Sequence, residues 1–126
     1  MKRLKIGIVG CGAIGTSLAK AVVANFKKEA ELVALYDIDI KKSRDLSRLV
    51  SKNKDLSVES LKRLIDKSRL VVEASSASSS WGITQNVLVR GRDIMIMSVG
   101  GIVSHFKELS ALARKYYAKV YIPSGA

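Results

Sequence analysis

The sequence predicts an α/β domain with a doubly wound parallel sheet, whose two faces are covered by helices. Two observations predict this fold class: short apolar runs alternate with amphipathic segments, and a glycine-rich turn joins the first run to the first amphipathic segment. Near-continuous apolar runs are typical of parallel strands that are buried on both faces. We expect the strand order 3-2-1-4-5-6, with right-handed crossovers.

The composition is that of an ordinary globular domain. The chain has 126 residues, of which 48% are hydrophobic and 26% are charged. This length fits one domain, and no change of composition marks a linker or a second domain. We therefore expect residues 1–126 to form a single domain.

The first strand, Leu4–Val9, leads into the turn Gly10-Cys11-Gly12-Ala13-Ile14-Gly15, and a helix follows to about Phe26. In this context the glycine pattern is typical of the Rossmann dinucleotide-binding fold. The first glycine makes the turn, the second lets a pyrophosphate approach the backbone, and the third lets the helix pack closely on the sheet. The helix start also offers amides and a positive dipole to an anion. We predict that a dinucleotide is bound by Gly10, Gly12, Ala13, Ile14 and Gly15.

The second strand covers about Glu31 to Tyr36 and ends at Asp37, which follows Gly15 by 22 residues. A carboxylate at this offset accepts hydrogen bonds from the adenosine ribose and repels a 2′-phosphate. We predict that Asp37 and Ile38 bind this half of the cofactor and favour NAD over NADP.

Two alternatives at this position stay open. In the first, Asp37 or Asp39 only caps the following helix, which is a common role of aspartate. NADP also remains a candidate cofactor, because three basic residues that suit a 2′-phosphate follow shortly: Lys41, Lys42 and Arg44.

The expected core stripes of the first two helices use apolar residues at helical spacing. They comprise Ile14, Leu18, Ala21, Val22 and Phe26 in the first helix, and Leu46, Leu49 and Val50 in the second. The third strand is short or vestigial, because only Leu56-Ser57-Val58 is available. Ser57 is alternatively the cap of the next helix, which carries Leu61, Leu64 and Ile65.

The fourth and fifth strands, residues 69–74 and 93–97, each end in a small polar segment. The serine-rich run 75–80 follows one strand and Ser98-Val99-Gly100-Gly101 follows the other. Ligands bind at the carboxyl ends of strands in open α/β sheets, although a serine run also suits a flexible connection. We predict that the cofactor site is completed by Ala74, Ser75, Ser98, Val99 and Gly100.

The remaining elements alternate in the same way. We expect a helix over residues 81–89 and a last helix capped by Ser104, with a stripe of Phe106, Leu109, Leu112, Ala113 and Tyr116. A sixth strand covers residues 119–122.

Several classes of site are disfavoured by residue counts. Cys11 is the only cysteine and His105 the only histidine, so intrachain disulfides, cysteine-based metal sites and most catalytic triads are excluded. We expect Cys11 to be a small filler and His105 to be exposed. We predict no metal site and no catalytic residue in this chain.

The net charge of +11 invites a nucleic-acid interpretation. However, the basic residues are spread over helical faces without interleaved aromatic residues for base stacking, which favours a solvated surface. No apolar run approaches the roughly 20 residues of a membrane span, and no signal peptide is apparent. We expect neither nucleic-acid nor membrane partners, and a cytoplasmic location.

Four segments together resemble the L-aspartate dehydrogenase family over the whole chain. They are the glycine turn, Val72-Glu73-Ala74-Ser75, Ile96-Met97-Ser98-Val99-Gly100 and Val120-Tyr121-Ile122-Pro123-Ser124-Gly125-Ala126. The last two segments carry the resemblance, because the first is shared with many Rossmann enzymes. The serine run departs from the family pattern, so the resemblance assigns no contacts with the nicotinamide to Ser76 to Ser80.

The resemblance implies an NAD(P)-dependent enzyme that oxidatively deaminates L-aspartate to oxaloacetate and ammonia, or catalyses the reverse. It also implies a second, carboxyl-terminal domain with the substrate site and the catalytic histidine, which is absent from these 126 residues. The chain is then a cofactor domain that meets a small-molecule substrate only when that domain is present. The alternative is a free-standing NAD(H)-binding regulatory or sensor module. Homo-oligomer formation stays open.

Overall fold

The computed structural model describes residues 2–123 as one parallel five-stranded sheet with flanking helices. The strands are β1 (Leu4–Val9), β2 (Ala30–Tyr36), β3 (Leu70–Glu73), β4 (Asp93–Ile96) and β5 (Val120–Tyr121), in the order β2-β1-β3-β4-β5. The helices are α1 (Ala13–Asn25), α2 (Ile40–Val50), α3 (Leu61–Lys67), α4 (Ala77–Leu88) and α5 (Phe106–Lys115). The α/β parallel fold predicted from the sequence is confirmed. The closing residues Ser124 to Ala126, which contribute to the family resemblance, lie outside the described residues.

The core lies in two layers, one on each face of the sheet. Ile6 and Ile8 of β1 point to the layer that contains α1 and α2, whereas Val9 belongs to the layer with α3, α4 and α5. Such alternation buries both faces of a central strand and explains its nearly unbroken apolar sequence. Among the described residues no helix is long and apolar enough to cross a membrane.

The expected third strand is reduced to a single bridge between Ser57 and Leu35, so the sheet has five strands instead of six. The bridge lies along the outer edge of β2, where the order 3-2-1-4-5-6 puts the third strand. Leu56 and Val58 are buried in opposite core layers. These three residues therefore cover the outer edge of β2 and reach both core layers before α3 begins. The alternative capping role of Ser57 is wrong, because Ser60 caps α3 by accepting from the Arg63 amide.

Three other predictions about the elements are wrong in detail. Helix α4 begins at Ala77 and not at Trp81, so most of the serine run is helical and is not a flexible connection. Ser104 lies in a 3₁₀ turn and does not cap α5, which is preceded by His105. Several expected stripe residues near helix ends are exposed: Ile14, Phe26, Leu49 and Phe106. Helix α1 instead buries Gly15 and Ala19, whose small size allows a close approach to the sheet.

Candidate cofactor site

A cleft of about 460 Å³ opens at the carboxyl edge of β1, β2 and β3. Parallel strands direct their following loops to this edge, which is where ligands bind in open α/β sheets. The cleft contains six of the residues predicted from the sequence: Gly10, Gly12, Asp37, Ile38, Ala74 and Ser75. It is also lined by residues that were not predicted as ligands: Val9, Tyr36, Lys42, Leu61, Ser76, Ser79 and Ile83.

The glycines of the turn have different structural roles. Gly10 has φ +100, and a Cβ atom there would overlap the carbonyl group of Ala74. A Cβ atom on Gly15 would overlap the Gly10 carbonyl oxygen, so glycine at these two positions allows the turn to pack closely against α1 and against Ala74. Gly12 differs, because an added Cβ would meet no atom within 4 Å. The fold does not require glycine at this position, which leaves the backbone open toward the cleft.

Helix α1 begins at Ala13 with Gly12 as its N-cap, and no side chain caps it. Its first amides have no partner within the helix and, together with the helix dipole, form a favourable environment for an anion. Ala13 and Ile14 are exposed in this first turn, and Gly15 is buried beneath it. These three residues adjoin the cleft at the helix start but do not line it.

Asp37 is attached to the glycine turn by its side chain. One carboxylate oxygen accepts from the Cys11 amide at 2.8 Å and the other from the Asp39 amide at 2.9 Å. Asp39 caps α2 by accepting from the Lys41 amide. Of the two aspartates, the helix cap is therefore Asp39, and Asp37 is directed at the turn and the cleft. Ile38, which is 95% exposed, forms the outer rim.

Cys11 is buried beneath the turn, and its sulfur lies 3.7 Å from the Tyr36 carbonyl oxygen. Burial, followed by the negative charge of Asp37, raises the pKa of the thiol to about 12. A thiol with this pKa is protonated at neutral pH and is a poor nucleophile. The geometry fits the predicted role of a small filler.

Ser98, Val99 and Gly100 do not line the cleft, although they lie beside it. They follow β4, where residues 99–101 form a 3₁₀ turn. The Ser98 hydroxyl donates to the Ser75 carbonyl oxygen at 3.0 Å, which joins this turn to the loop after β3. The structure thus brings Ala74, Ser75 and Ser98 together at one edge.

Glu73 is a residue that the sequence reasoning passed over. It ends β3 and is fully buried, and its carboxylate accepts hydrogen bonds from Ser75, Ser80 and Ser98. The available signal was an acidic residue at the end of an otherwise apolar strand, since buried charges are rare unless they are paired.

His105 is half-buried and not fully exposed as the sequence suggested. Its ring stacks on Trp81 with centroids 4.5 Å apart, and Nδ1 lies 3.3 Å from Glu108. This contact joins α4 to the start of α5. Within residues 2–123 no group of three or more histidine, cysteine or acidic residues is arranged to hold a metal ion.

Comparison with known proteins agrees with the geometry. The chain is 40% identical over 126 residues to an L-aspartate dehydrogenase from Methanocaldococcus jannaschii, a match that covers 98% of this chain and 46% of that protein. An L-aspartate dehydrogenase from Methanococcus maripaludis strain C6 is 38% identical over the same shares of both chains. These similarities confirm the resemblance noted in the sequence. The chain spans about half the length of the curated relatives that it matches.

The fold recurs in solved dehydrogenases. The WlbA dehydrogenase from Bordetella pertussis, in complex with NADH and UDP-GlcNAcA, superposes with a TM-score of 0.82 and 18% identity. That match covers 97% of this chain and 38% of the other, and it shows the shared fold. The family described as homoserine dehydrogenase, NAD binding domain, matches residues 10–123. The chain therefore belongs to this family of NAD-binding domains.

Proposed function

We propose that this chain is the cofactor-holding part of an aspartate-dehydrogenase-like oxidoreductase. The main support is the similarity to L-aspartate dehydrogenases over almost the whole chain. The cleft at the glycine turn supports the same function, because it combines an uncapped helix start, the Asp37 carboxylate and open space at Gly12.

In this proposal the pyrophosphate lies over Gly12 and contacts the amides of Ala13, Ile14 and Gly15. The residues fit such a group, because the space beside Gly12 is open: an added Cβ atom would meet no protein atom within 4 Å. Asp37 receives the adenosine ribose, with Ile38 along its rim. Ala74 and Ser75 lie near the middle of the cofactor, and Ser98, Val99 and Gly100 lie near its nicotinamide end.

We further propose that NAD is preferred to NADP. The Asp37 carboxylate is fixed by two backbone amides, so it cannot easily rotate away from a 2′-phosphate. The negative charges of the carboxylate and of a 2′-phosphate repel each other, so NADP binding would require the carboxylate to move or to be neutralised. Lys42 lines the same cleft and offers a positive charge that weakens this discrimination.

The chemistry of the complete enzyme would be oxidative deamination of L-aspartate to oxaloacetate and ammonia, or its reverse. Bound NAD supplies the hydride acceptor, and residues of this chain orient it. The acid–base groups and the clamps for the substrate carboxylates are assigned to a second domain. A cytoplasmic location, self-association and the lack of a nucleic-acid partner remain predictions from the sequence.

The test is to assay the full-length gene product and the 126-residue chain side by side. We expect the full-length protein to form NADH when L-aspartate and NAD⁺ are supplied, and the 126-residue chain to bind NADH without turnover. A full-length protein that binds NADH but leaves L-aspartate unchanged would contradict the proposed aspartate dehydrogenase activity. That result would favour the alternative of a regulatory module. Turnover by the 126-residue chain would contradict the assignment of catalysis to a second domain.

A further inference from the structure

We propose that Glu73 is a positioning residue that fixes the nicotinamide side of the cofactor site, an inference that rests on the proposed function. Glu73 ends β3, whose following loop contains Ala74 and Ser75. The neighbouring strand β4 is followed by the turn that begins at Ser98. Glu73 lies between these two loops and bonds to both.

The two carboxylate oxygens serve different loops. Oε2 accepts from the amide of Ser75 at 2.8 Å and from its hydroxyl at 2.7 Å. Oε1 accepts from the Ser98 amide at 3.0 Å and from the Ser80 hydroxyl at 3.2 Å. One side chain thereby sets the distance between the loop after β3 and the turn after β4.

A second contact closes the same connection from the other side. The Ser98 hydroxyl donates to the Ser75 carbonyl oxygen at 3.0 Å. Ser75 and Ser98 are therefore joined to each other directly as well as through Glu73. Two loops bonded in this way hold one relative position, which is the property that a cofactor-orienting edge needs.

Burying a carboxylate in the core costs free energy that an apolar residue would not require, because a charge is removed from water. Glu73 has no exposed surface, and all four groups that it contacts donate to it. Ser80, in the first turn of α4, contributes one of these four donors through its hydroxyl group. This complete set of donors specifies a carboxylate at this position.

Glutamine cannot reproduce this arrangement. Each oxygen of Glu73 faces one backbone amide, that of Ser75 or that of Ser98. A glutamine side chain has one oxygen and one NH₂ group, so one of the two amides would face another donor. Glu73→Gln therefore releases one loop while nearly conserving the size of the side chain.

The experiment measures the affinity of the 126-residue chain for NADH and for ADP-ribose, which lacks the nicotinamide. We expect Glu73→Gln to weaken NADH binding by about ten-fold while the affinity for ADP-ribose is unchanged. Ser68→Ala is the matched control, because it removes a buried side-chain hydrogen bond, to the Leu64 carbonyl oxygen, before the amino end of β3 and outside the cleft. It should leave both affinities unchanged.

Equal losses of affinity for NADH and for ADP-ribose would show a general structural role and would overturn the proposal. An unchanged affinity for NADH would overturn it as well. Where Glu73→Gln does not fold, Ser98→Ala removes the direct contact with Ser75 and should cause the same selective loss, to a smaller extent. No selective loss in that variant would also overturn it. A wild-type chain that binds neither ligand contradicts the proposed function, whereas failure of the variants alone contradicts only the role of Glu73.

Discussion

Gly12 is the glycine of the turn whose role concerns a ligand more than the fold. We expect Gly12→Ala to weaken NADH binding at least ten-fold, because the added methyl group occupies the space proposed for the pyrophosphate. The midpoint of thermal unfolding should fall only slightly, since the methyl group contacts no other atom and alanine is merely a less favourable N-cap than glycine. Calorimetric titration and thermal unfolding measure the two quantities.

Gly82 provides the control for this substitution. It lies inside α4, and an added Cβ there also meets open space. Gly82→Ala should leave NADH binding unchanged and stabilise the fold by about 0.5–1 kcal/mol through helix propensity. Tight NADH binding by Gly12→Ala would exclude the proposed position of the pyrophosphate.

Asp37 and Asp39 form a second informative pair, since they are neighbours with different contacts. We expect Asp37→Ser to reduce the preference for NADH over NADPH, because the negative charge next to the ribose is removed. Asp39→Ala should lower the free energy of unfolding by about 1 kcal/mol through loss of the α2 cap, without a change in preference. Titration of each variant with both cofactors measures the preference, and an unchanged ratio in Asp37→Ser would exclude this role.

The Cys11 thiol predicts a dependence of stability on pH. Its pKa is raised from 9.0 to about 12, so above pH 9 the unfolded chain loses a proton that the folded chain retains. The contribution of Cys11 to stability is complete below pH 9 and is lost as the pH rises toward 12. Urea unfolding across this range should show a smaller decline in Cys11→Ala than in the wild type. Equal declines would contradict the raised pKa.

Individual site residues could be predicted from the sequence where the backbone alone determines their role. Gly10, Gly12 and Asp37 were identified because spacing along a strand–turn–helix unit places them at one edge. Glu73 was missed because its partners, Ser75, Ser80 and Ser98, come together only through the pairing of β3 with β4. A contact between segments that are distant in sequence leaves no local pattern.

At the level of elements, the predictions held best where burial on both sides imposes an apolar run. β1 has the bounds expected from its sequence, and the other four strands differ by one residue at one or both ends. Helix starts were less predictable. Serine has low helix propensity, yet α4 begins within the serine run, and the Ser80 hydroxyl in its first turn bonds to the buried Glu73 carboxylate.

The start of α3 can be tested directly. Ser60 accepts from the Arg63 amide at 3.1 Å, so Ser60→Ala should lower the free energy of unfolding by about 1 kcal/mol. Ser57→Ala is the comparison, because the hydroxyl of Ser57 bonds only to Asp55 at the surface and should contribute less. Urea denaturation of both variants distinguishes them. A larger loss in Ser57→Ala would restore Ser57 as the important residue of this segment.

For the whole molecule, the alternation of strands and helices was sufficient to predict a parallel sheet and the edge that carries the site. The number of strands was not predictable from the sequence. Leu56 and Val58 are buried in the two core layers, as in a strand, although their segment forms only a single bridge with β2. The parallel pairing of β1 with β2 and β3 brings the loops after these three strands to one cleft. The fold and the cofactor site thus arise from one arrangement of strands.

The most direct test of this account is a titration of the 126-residue chain with NADH. Trp81, the only tryptophan, lies in α4, the helix whose Ser79 and Ile83 line the cleft, and provides a fluorescence signal. We expect saturable quenching by NADH that is weaker with NADPH and is reduced at least ten-fold in Gly12→Ala. A folded chain that shows no saturable NADH binding would contradict the central claim that this edge of the sheet holds the cofactor.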